Sequence, residues 1–347
     1  MHQRCGCHII NLFVKSAFDV LKPYLDDFRS AISFLNSSNQ RIAAYKSFCI
    51  AMSVRPRKFG LDMDVRWNST YLMLKHLIPY KSTFDVFIQT HYPQKEEGAL
   101  LTNDHWYVGE KILEFLERFY DSTVVTSGIY YPTSPLMLHH ILSMLTHLNE
   151  YEHDNLLGPA VAPMKEKFQK YWGEIPLLCC FAFILDPRAK LRGFNNVLFL
   201  LSKLNCKNYS DYLTTVRAGL FDLFKKYDDK FGGTELSSYL DSDTVQKFDD
   251  DFDILDWWLD RKITYPVLSI LAKDILSVPI STVSSESAFS LVSRVIEERR
   301  RRLAPSMVEM LSLVKDWEEA DARTQHTAKN KATLEAFEDM FLDGDQI

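Results

Sequence analysis

Apolar side chains recur at the spacing of an α-helix along most of this 347-residue chain. One such face, near residues 109–126, consists of Ile112, Phe115, Leu116, Phe119 and Tyr120. Strict alternation of apolar and polar residues, which is typical of a half-buried strand, is scarce. The apolar run 177–185 fits a buried strand or a buried helix, and its helical neighbours favour a helix. The pattern therefore predicts a mainly α fold.

Prolines and capping residues set the predicted ends of several helices. Lys22-Pro23 predicts a break or a fresh start within a helical pattern that spans residues 9–36. Ser134-Pro135 supplies an N-cap and a proline at the first helical position. Tyr265-Pro266 predicts the start of a short helix in the C-terminal third of the chain.

Charge is distributed unevenly along the chain, whose formal net charge is −6. Residues 241–260 carry eight Asp and one Lys and are predicted to form an acidic linker, whereas residues 1–60 hold nine Lys or Arg against three Asp. A second basic focus is Arg299–Arg302, with Arg294 upstream. The net charge argues against a general polyanion-binding protein, but local basic faces can still bind nucleic acid. The arginine cluster fits either such a face or a solvated helix end.

Several familiar kinds of site lack their sequence pattern here. Neither a GxGxxG nor a GxxxxGK[ST] phosphate loop occurs, so nucleotide hydrolysis by those routes is not supported. Cys5-x-Cys7-His8 is not followed by a second ligand pair at zinc-finger distance. Asp62 and Asp64 fit a turn better than a metal site. We therefore predict no metal site, no cofactor and no small-molecule substrate, and the absence of a long apolar stretch predicts no membrane partner.

Six stretches of the chain form a recognisable series. They are Arg4–Leu12, Leu61-Asp62 with Arg66–Leu74, Met164–Trp172, Leu185–Arg188, Tyr265–Ser269 and Pro279–Ser290. In this order they resemble the hAT superfamily of DNA transposases, in particular the plant lineage of rice-sleeper-like proteins that carry a BED zinc finger. The resemblance covers residues 2–318, and its last stretch (PISTVSSESAFS) is the most specific.

The resemblance implies roles for individual residues. Transposases of this family have a ribonuclease-H-like core with a helical insertion, in which two aspartates from the β-sheet and one glutamate from the C-terminal helical part are catalytic. Glu286 matches that glutamate, Cys5 and His8 match a Cys-x-x-His motif near the active site, and Trp67 matches a tryptophan that handles a flipped base. The expected DNA contacts are Trp67, Arg66 and His8 together with the residues of the basic cluster, Arg294, Arg299, Arg300, Arg301 and Arg302. The expected dimerisation residues are Phe289, Met310, Leu313, Val314 and Trp317.

The resemblance also implies a domain organisation. The predicted segments are a helical insertion region at 1–240, the acidic linker at 241–260, a dimerisation region at 261–318 and a polar tail at 319–347. The catalytic sheet with both aspartates and the BED finger have no counterpart in the sequence, as expected of an N-terminally truncated relative. Because two-metal chemistry needs several carboxylates, Mg²⁺ is expected only if that missing region is supplied.

These expectations favour a nuclear, transposase-derived protein that self-associates, binds DNA and is catalytically inactive. Glu286 would then be vestigial, or only an acid at the start of a helix. Trp67 either contacts DNA or anchors its helix. Two alternatives stay open: a fragment of an active hAT transposase that cleaves and joins DNA, and a decayed remnant that does not fold well.

Overall fold

The computed structural model describes residues 4–63, 66–92, 101–128, 131–228, 234–245 and 252–282 together with Met307 and Met310. Helices account for 74% of these residues and no β-strand occurs among them, which confirms the predicted mainly α fold. A 3₁₀ turn occupies Ile78–Tyr80, between the third and fourth α-helices of the chain. In chain order the helices are α1 (Gly6–Asn36), α2 (Asn39–Ala51), α3 (Trp67–Leu77), α4 (Lys81–His91), α5 (Asn103–Thr126), α6 (Met137–Glu150), α7 (Gly158–Trp172), α8 (Leu177–Ile184), α9 (Lys190–Asn205), α10 (Ser210–Tyr227), α11 (Thr234–Asp241), α12 (Ile254–Asp260) and α13 (Pro266–Leu276).

The chain divides into two compact units, residues 1–280 and residues 281–347. All of the helices named above belong to the first unit. Within the second unit the structure describes Ser281, Thr282, Met307 and Met310. Among the described helices, none combines the length and the apolar character needed to span a membrane.

α1 continues through Pro23 without a break, so the predicted interruption is wrong. A proline inside a helix has no N–H and leaves the carbonyl four residues earlier, here that of Asp19, without its usual partner. Pro23 and Asp19 lie on the exposed side of α1, where water can reach that carbonyl. Leu21 and Leu25 on the opposite side are fully buried. Packing of this buried side therefore outweighs the local penalty of about 3 kcal/mol.

The core is built around the buried side of α1, which packs against α5 and α7. The ring of Phe13 lies 5.5 Å from that of Phe119 on α5, and 5.9 and 5.6 Å from the rings of Phe168 and Trp172 on α7. All three pairs are edge-to-face, and such pairs contribute about 0.5–1.5 kcal/mol each beyond the burial of their area. This cluster fixes the N-terminal half of α1 against its two neighbours.

Two helix starts differ from the sequence pattern. α6 begins at Met137 rather than at Pro135, because the hydroxyl of Ser134 is buried and donates to the carbonyls of Ile275 and Leu276 at the end of α13. α5 begins upstream of the predicted 109–126 face, because Thr102 and the His105 side chain form a capping box. Both differences arise from polar contacts that hydrophobic spacing does not register.

A buried lysine ties the start of α9 to the end of α11. Lys190 has a left-handed backbone with φ 51°. Its Nζ donates to the carbonyls of Tyr239, Ser242 and Asp243 and to the Ser242 hydroxyl, at distances of 2.9, 2.9, 2.8 and 2.7 Å. The last carbonyls of a helix lack partners within the helix and carry partial negative charge. The ammonium group therefore completes the C-terminal end of α11.

The apolar run 177–185 forms α8, so the prediction of a helix there is confirmed.

The acidic stretch 241–260 contacts other parts of the first unit at both of its described ends. Asp253 caps α12, because its carboxylate accepts hydrogen bonds from the N–H groups of Leu255 and Asp256 at 2.7 and 3.1 Å. Trp258 is buried, and its indole N–H donates to the Leu185 carbonyl at 3.0 Å. At least one acid of this stretch therefore serves to start a helix.

Candidate nucleic-acid interface

Two stretches that are far apart in the chain meet at the start of α1. The N–H of Gly6 donates to the carbonyl of Ile280 at 2.8 Å, and the N–H of Ile280 donates to the Thr133 hydroxyl at 3.1 Å. A Cβ on Gly6 would lie 3.3 Å from the sulfur of Met137, so the backbone approach is close. An N–H in the first turn has no partner within its helix. Ile280 thus caps α1 and brings the beginning of the Pro279–Ser290 stretch to the Arg4–Leu12 stretch.

The Cys-x-x-His pair lies on the outer side of this helix start. Cys5 and His8 are three residues apart and therefore share one side of the helix. His8 is exposed and Cys5 is partly exposed. Cys7 points inward, with its sulfur 3.4 and 3.3 Å from the hydroxyls of Thr126 and Ser127. Across the described residues, no group of three or more His, Cys, Asp or Glu side chains that could hold a metal ion occurs.

The Arg66-Trp67 pair joins the same end of the molecule. The N–H of Trp67 donates to Oδ1 of Asn11 at 3.4 Å, and Asn11 lies one turn beyond His8 on α1. Trp67 is only 2% exposed, so its indole is part of the core, as the anchoring alternative expects. Arg66 is exposed. His8 and Arg66 therefore lie on the surface at this end of α1, whereas Trp67 does not.

A partly buried ion pair holds Asp62, which lies four residues before Arg66. The Asp62 carboxylate accepts hydrogen bonds from Nε and Nη2 of Arg29 at 2.8 and 2.6 Å and from the Thr70 hydroxyl at 2.6 Å. Burial raises the pKa of Asp62, but the hydrogen bonds from Arg29 and Thr70 outweigh it and lower the pKa below its usual value. Asp62 is thus committed to Arg29, and the metal-ligand alternative for this residue finds no support.

A cationic cleft of about 610 Å³ adjoins the start of α1. Its lining includes Arg4, Lys170, Lys207, Glu174 and Tyr171. The guanidinium carbon of Arg4 lies 5.6 Å from the centroid of the Tyr171 ring, and Nζ of Lys170 lies 5.7 Å from it. Three cations and one carboxylate give the lining a formal charge of +2. A concave site with this charge suits an anion such as a phosphate group.

Sequence spacing could not reveal this cleft. Its cations come from three distant stretches, and only the packing of α1 on α7 brings two of them together. Lys207 follows Cys206, whose left-handed backbone (φ 53°) ends α9. Its Nζ then donates to the Gly173 carbonyl at 2.7 Å. The one available signal was the Lys170-Tyr171 pair, in which a cation adjoins an aromatic residue.

The C-terminal site predictions fall largely beyond the described residues. Of the predicted dimerisation residues the structure describes Met310, which is 58% exposed. The predicted residues that lie outside the described part are Glu286, Phe289, Arg294, Arg299, Arg300, Arg301, Arg302, Leu313, Val314 and Trp317.

An exposed apolar face occurs on α12, α13 and the turn between them. Leu259 is 59% exposed, Ile263 87% and Ile270 55%. Beside them, the guanidinium carbon of Arg261 lies 4.0 Å from the centroid of the Trp257 ring. We call Leu259, Ile263 and Ile270 the α12–α13 face. Where exposed apolar residues form one contiguous patch, another protein commonly covers it.

Three family models match successive parts of the chain. The ZBED1 RNase-like helical domain matches residues 3–115, the hAT-like transposase RNase-H fold matches residues 135–227, and the hAT family C-terminal dimerisation region matches residues 235–318. We call the start of α1 with Arg4, His8 and Arg66 the α1 end. It lies in the first match, and the α12–α13 face lies in the third.

Curated relatives align with most of this chain. They include the "Putative AC transposase" of Zea mays (29% identical, covering 91% of this chain and 44% of the relative). "Zinc finger BED domain-containing protein RICESLEEPER 2" of Oryza sativa subsp. japonica is 27% identical, over 90% of this chain and 50% of the relative. "Zinc finger BED domain-containing protein DAYSLEEPER" of Arabidopsis thaliana is 26% identical, over 80% and 44%. The chain spans about half the length of the curated relatives it matches.

Proposed function

Because this chain belongs to the hAT transposase family, we propose that it is a nuclear protein that binds DNA at the α1 end and self-associates through its C-terminal region. The observation that carries the DNA-binding part is the convergence of three separate stretches at the start of α1. Hydrogen bonds join Gly6 to Ile280 and Trp67 to Asn11, and the cationic cleft lies alongside.

The chemistry of the α1 end fits the sugar-phosphate backbone of DNA. Arg4 and Arg66 supply guanidinium groups, which bind phosphate oxygens through paired N–H donors. His8, four residues after Arg4, offers an exposed ring. Phosphate contacts make binding dependent on salt, because each one releases condensed counterions from the DNA.

Equilibrium binding to a fluorescently labelled duplex over a series of NaCl concentrations tests this part. Replacing Arg4 and Arg66 together by Gln should weaken binding at least fivefold and reduce the salt slope by about 2. The matched control replaces Arg192 and Lys226, two exposed cations on α9 and α10, by Gln. If both variants lost the same affinity, the loss would be explained by the change in net charge alone, and a site at the α1 end would be contradicted.

The self-association part rests on the α12–α13 face and on the dimerisation-region match that contains it. Light scattering after size-exclusion chromatography should give a mass of twice 40.3 kDa for the chain. Replacing Ile263 by Asp should give a monomer, because a carboxylate on this face would have to be buried without a partner. Phe199→Asp is the control, because Phe199 is an exposed apolar residue on α9 and is not part of the α12–α13 face. A monomeric wild-type chain would refute self-association.

The catalytic alternative is tested with the same protein. We propose that the chain alone does not cleave DNA, since two-metal chemistry needs several carboxylates and the resemblance to hAT transposases implies one here, Glu286. Mg²⁺-dependent nicking of DNA that disappears in Glu286→Gln would favour the alternative, a part of an active hAT transposase.

A further inference from the structure

A second basic surface lies between α2 and α3, apart from the site described above. Residues 28–61 contain six Lys or Arg and no Asp or Glu. Three of these cations, Arg55, Arg57 and Lys58, lie in residues 53–60, which follow α2 and which we call the basic strap. Lys46 lies on the exposed side of α2 itself.

The fold anchors the backbone of the strap at several points. Ser53, two residues after the end of α2, has a left-handed backbone (φ 57°), and the N–H of Val54 donates to the Cys49 carbonyl at 2.8 Å. The Tyr80 hydroxyl donates to the Arg55 carbonyl at 2.9 Å. The strap is therefore tied both to α2 and to the turn that precedes α4.

A buried aromatic residue closes the other end of the strap. Phe59 is 2% exposed, and its ring lies 5.3 Å from that of Tyr80 and 5.9 Å from that of Tyr45. Nδ2 of Asn36 donates to the Phe59 carbonyl at 2.7 Å. With the backbone held at both ends, the strap presents its cations without having to order the chain on binding, which lowers the entropic cost of a contact.

The strap cations have no acidic partner in the part of the chain that the structure describes. The carboxylates of Asp26 and Asp62, which lie on either side of residues 28–61 in the sequence, both pair with Arg29, at 2.8 and 2.6 Å. Arg55 and Lys58 are exposed and Arg57 is half-buried. Unpaired cations on a fixed surface create a local positive potential that attracts a polyanion.

The spacing of the strap fits a nucleic-acid strand. Pro56 separates Arg55 from Arg57 and biases Arg55 towards an extended backbone. Two residues of extended chain span about 7 Å, which is the scale of the through-space distance between successive phosphates along one strand of a duplex. Adjacent phosphates along a strand could therefore be met by Arg55 and Arg57.

We propose that the basic strap, together with Lys46, binds the phosphodiester backbone of DNA. This inference rests on the proposed DNA-binding function and extends its contact surface from the α1 end. The strap is followed in sequence by Asp62, whose carboxylate Arg29 binds, and Arg66 comes four residues after Asp62. The strap contributes affinity and not sequence selection, because phosphate contacts carry no base information.

The test compares the full chain with the strap variant Arg55→Gln/Arg57→Gln/Lys58→Gln. Binding to duplexes of two unrelated sequences is measured between about 50 and 300 mM NaCl. The strap variant should bind both sequences more weakly, and its plot of log K against log [NaCl] should be less steep by about 2 to 3. The variant Arg55→Lys/Arg57→Lys, which keeps the positive charges, should retain most of the wild-type slope.

The control variant Arg192→Gln/Arg217→Gln/Lys226→Gln removes the same charge from exposed positions on α9 and α10. A strap variant with the slope of the wild type, or with a loss equal to that of the control, would overturn the proposal. An unchanged slope together with lost nuclear accumulation would overturn it too, and would identify the strap as a transport signal.

Two further outcomes separate the strap from the proposed function. A folded wild-type chain that binds neither duplex at low salt refutes DNA binding as a whole, and the strap proposal with it. Wild-type binding that is sensitive to Arg4 and Arg66 but not to the strap refutes the strap proposal alone. The melting temperature of the strap variant should match that of the wild type, because a purely structural role at the α2 C-terminus would lower it.

Discussion

Replacing Lys190 by Met removes the ammonium group that completes the end of α11. The ammonium has three N–H donors, and four oxygen atoms lie within 2.7–2.9 Å of it. Hydrogen bonds to a charged group contribute about 1.5–3 kcal/mol each, so three contribute roughly 5–9 kcal/mol. Removing the ammonium from its buried site recovers several kcal/mol of desolvation. The expected net loss of unfolding free energy is therefore about 3–5 kcal/mol.

Urea unfolding followed by circular dichroism measures this loss. Lys226→Met, on the exposed side of α10, is the control and should change the unfolding free energy by less than about 0.5 kcal/mol. A loss below about 1 kcal/mol for Lys190→Met would refute the reasoning, because it would mean that water or another donor satisfies the α11 carbonyls as well as the ammonium does.

Three further changes follow from buried contacts. Gly109→Ala should destabilise the fold by about 1–3 kcal/mol in urea unfolding, since its Cβ would lie 2.4 Å from the ring of buried Phe28; wild-type stability would contradict the packing. Burial lowers the pKa of His140 to about 4, so this residue stabilises the fold above pH 6.5 and loses that effect as the pH falls towards 4. Wild type should lose about 2 kcal/mol more than His140→Asn between pH 8 and pH 5, and equal pH profiles would refute this. Glu235→Ala should cost about 1 kcal/mol, because that carboxylate caps α13 by accepting hydrogen bonds from Val267 and Leu268; an unchanged melting temperature would show that the cap is dispensable.

The sequence pattern predicted helix type and location better than helix ends. The faces around Phe115 and Phe119 were evident because burial imposes the helical period. The continuity of α1 through Pro23 was not evident from the sequence. The energetic penalty of a proline inside a helix is local, whereas the packing of α1 against α5 and α7 that offsets it involves residues far away in the chain. Ser134 looked like a cap by its position, but in the fold its hydroxyl turns to α13.

The predicted site residues near the start of α1 differ in their exposure. His8 and Arg66 are at the surface near the start of α1, as DNA contacts must be, but Trp67 is in the core. The cleft with Arg4, Lys170 and Lys207 was missed because tertiary packing alone assembles it. The basic strap could have been found from sequence, since residues 28–61 lack any acid, but only the structure shows that Arg29 takes the neighbouring carboxylates.

Hydrogen–deuterium exchange of the full chain, with and without a DNA duplex, tests the location of DNA binding most directly. If DNA binds at the α1 end and the basic strap, exchange should slow in peptides that cover the start of α1, the basic strap, Arg66 and the end of α7. Exchange in α9 and α10 should be unchanged. Protection confined to α9 and α10, or no protection anywhere at a DNA concentration that saturates the chain, would contradict this location of DNA binding.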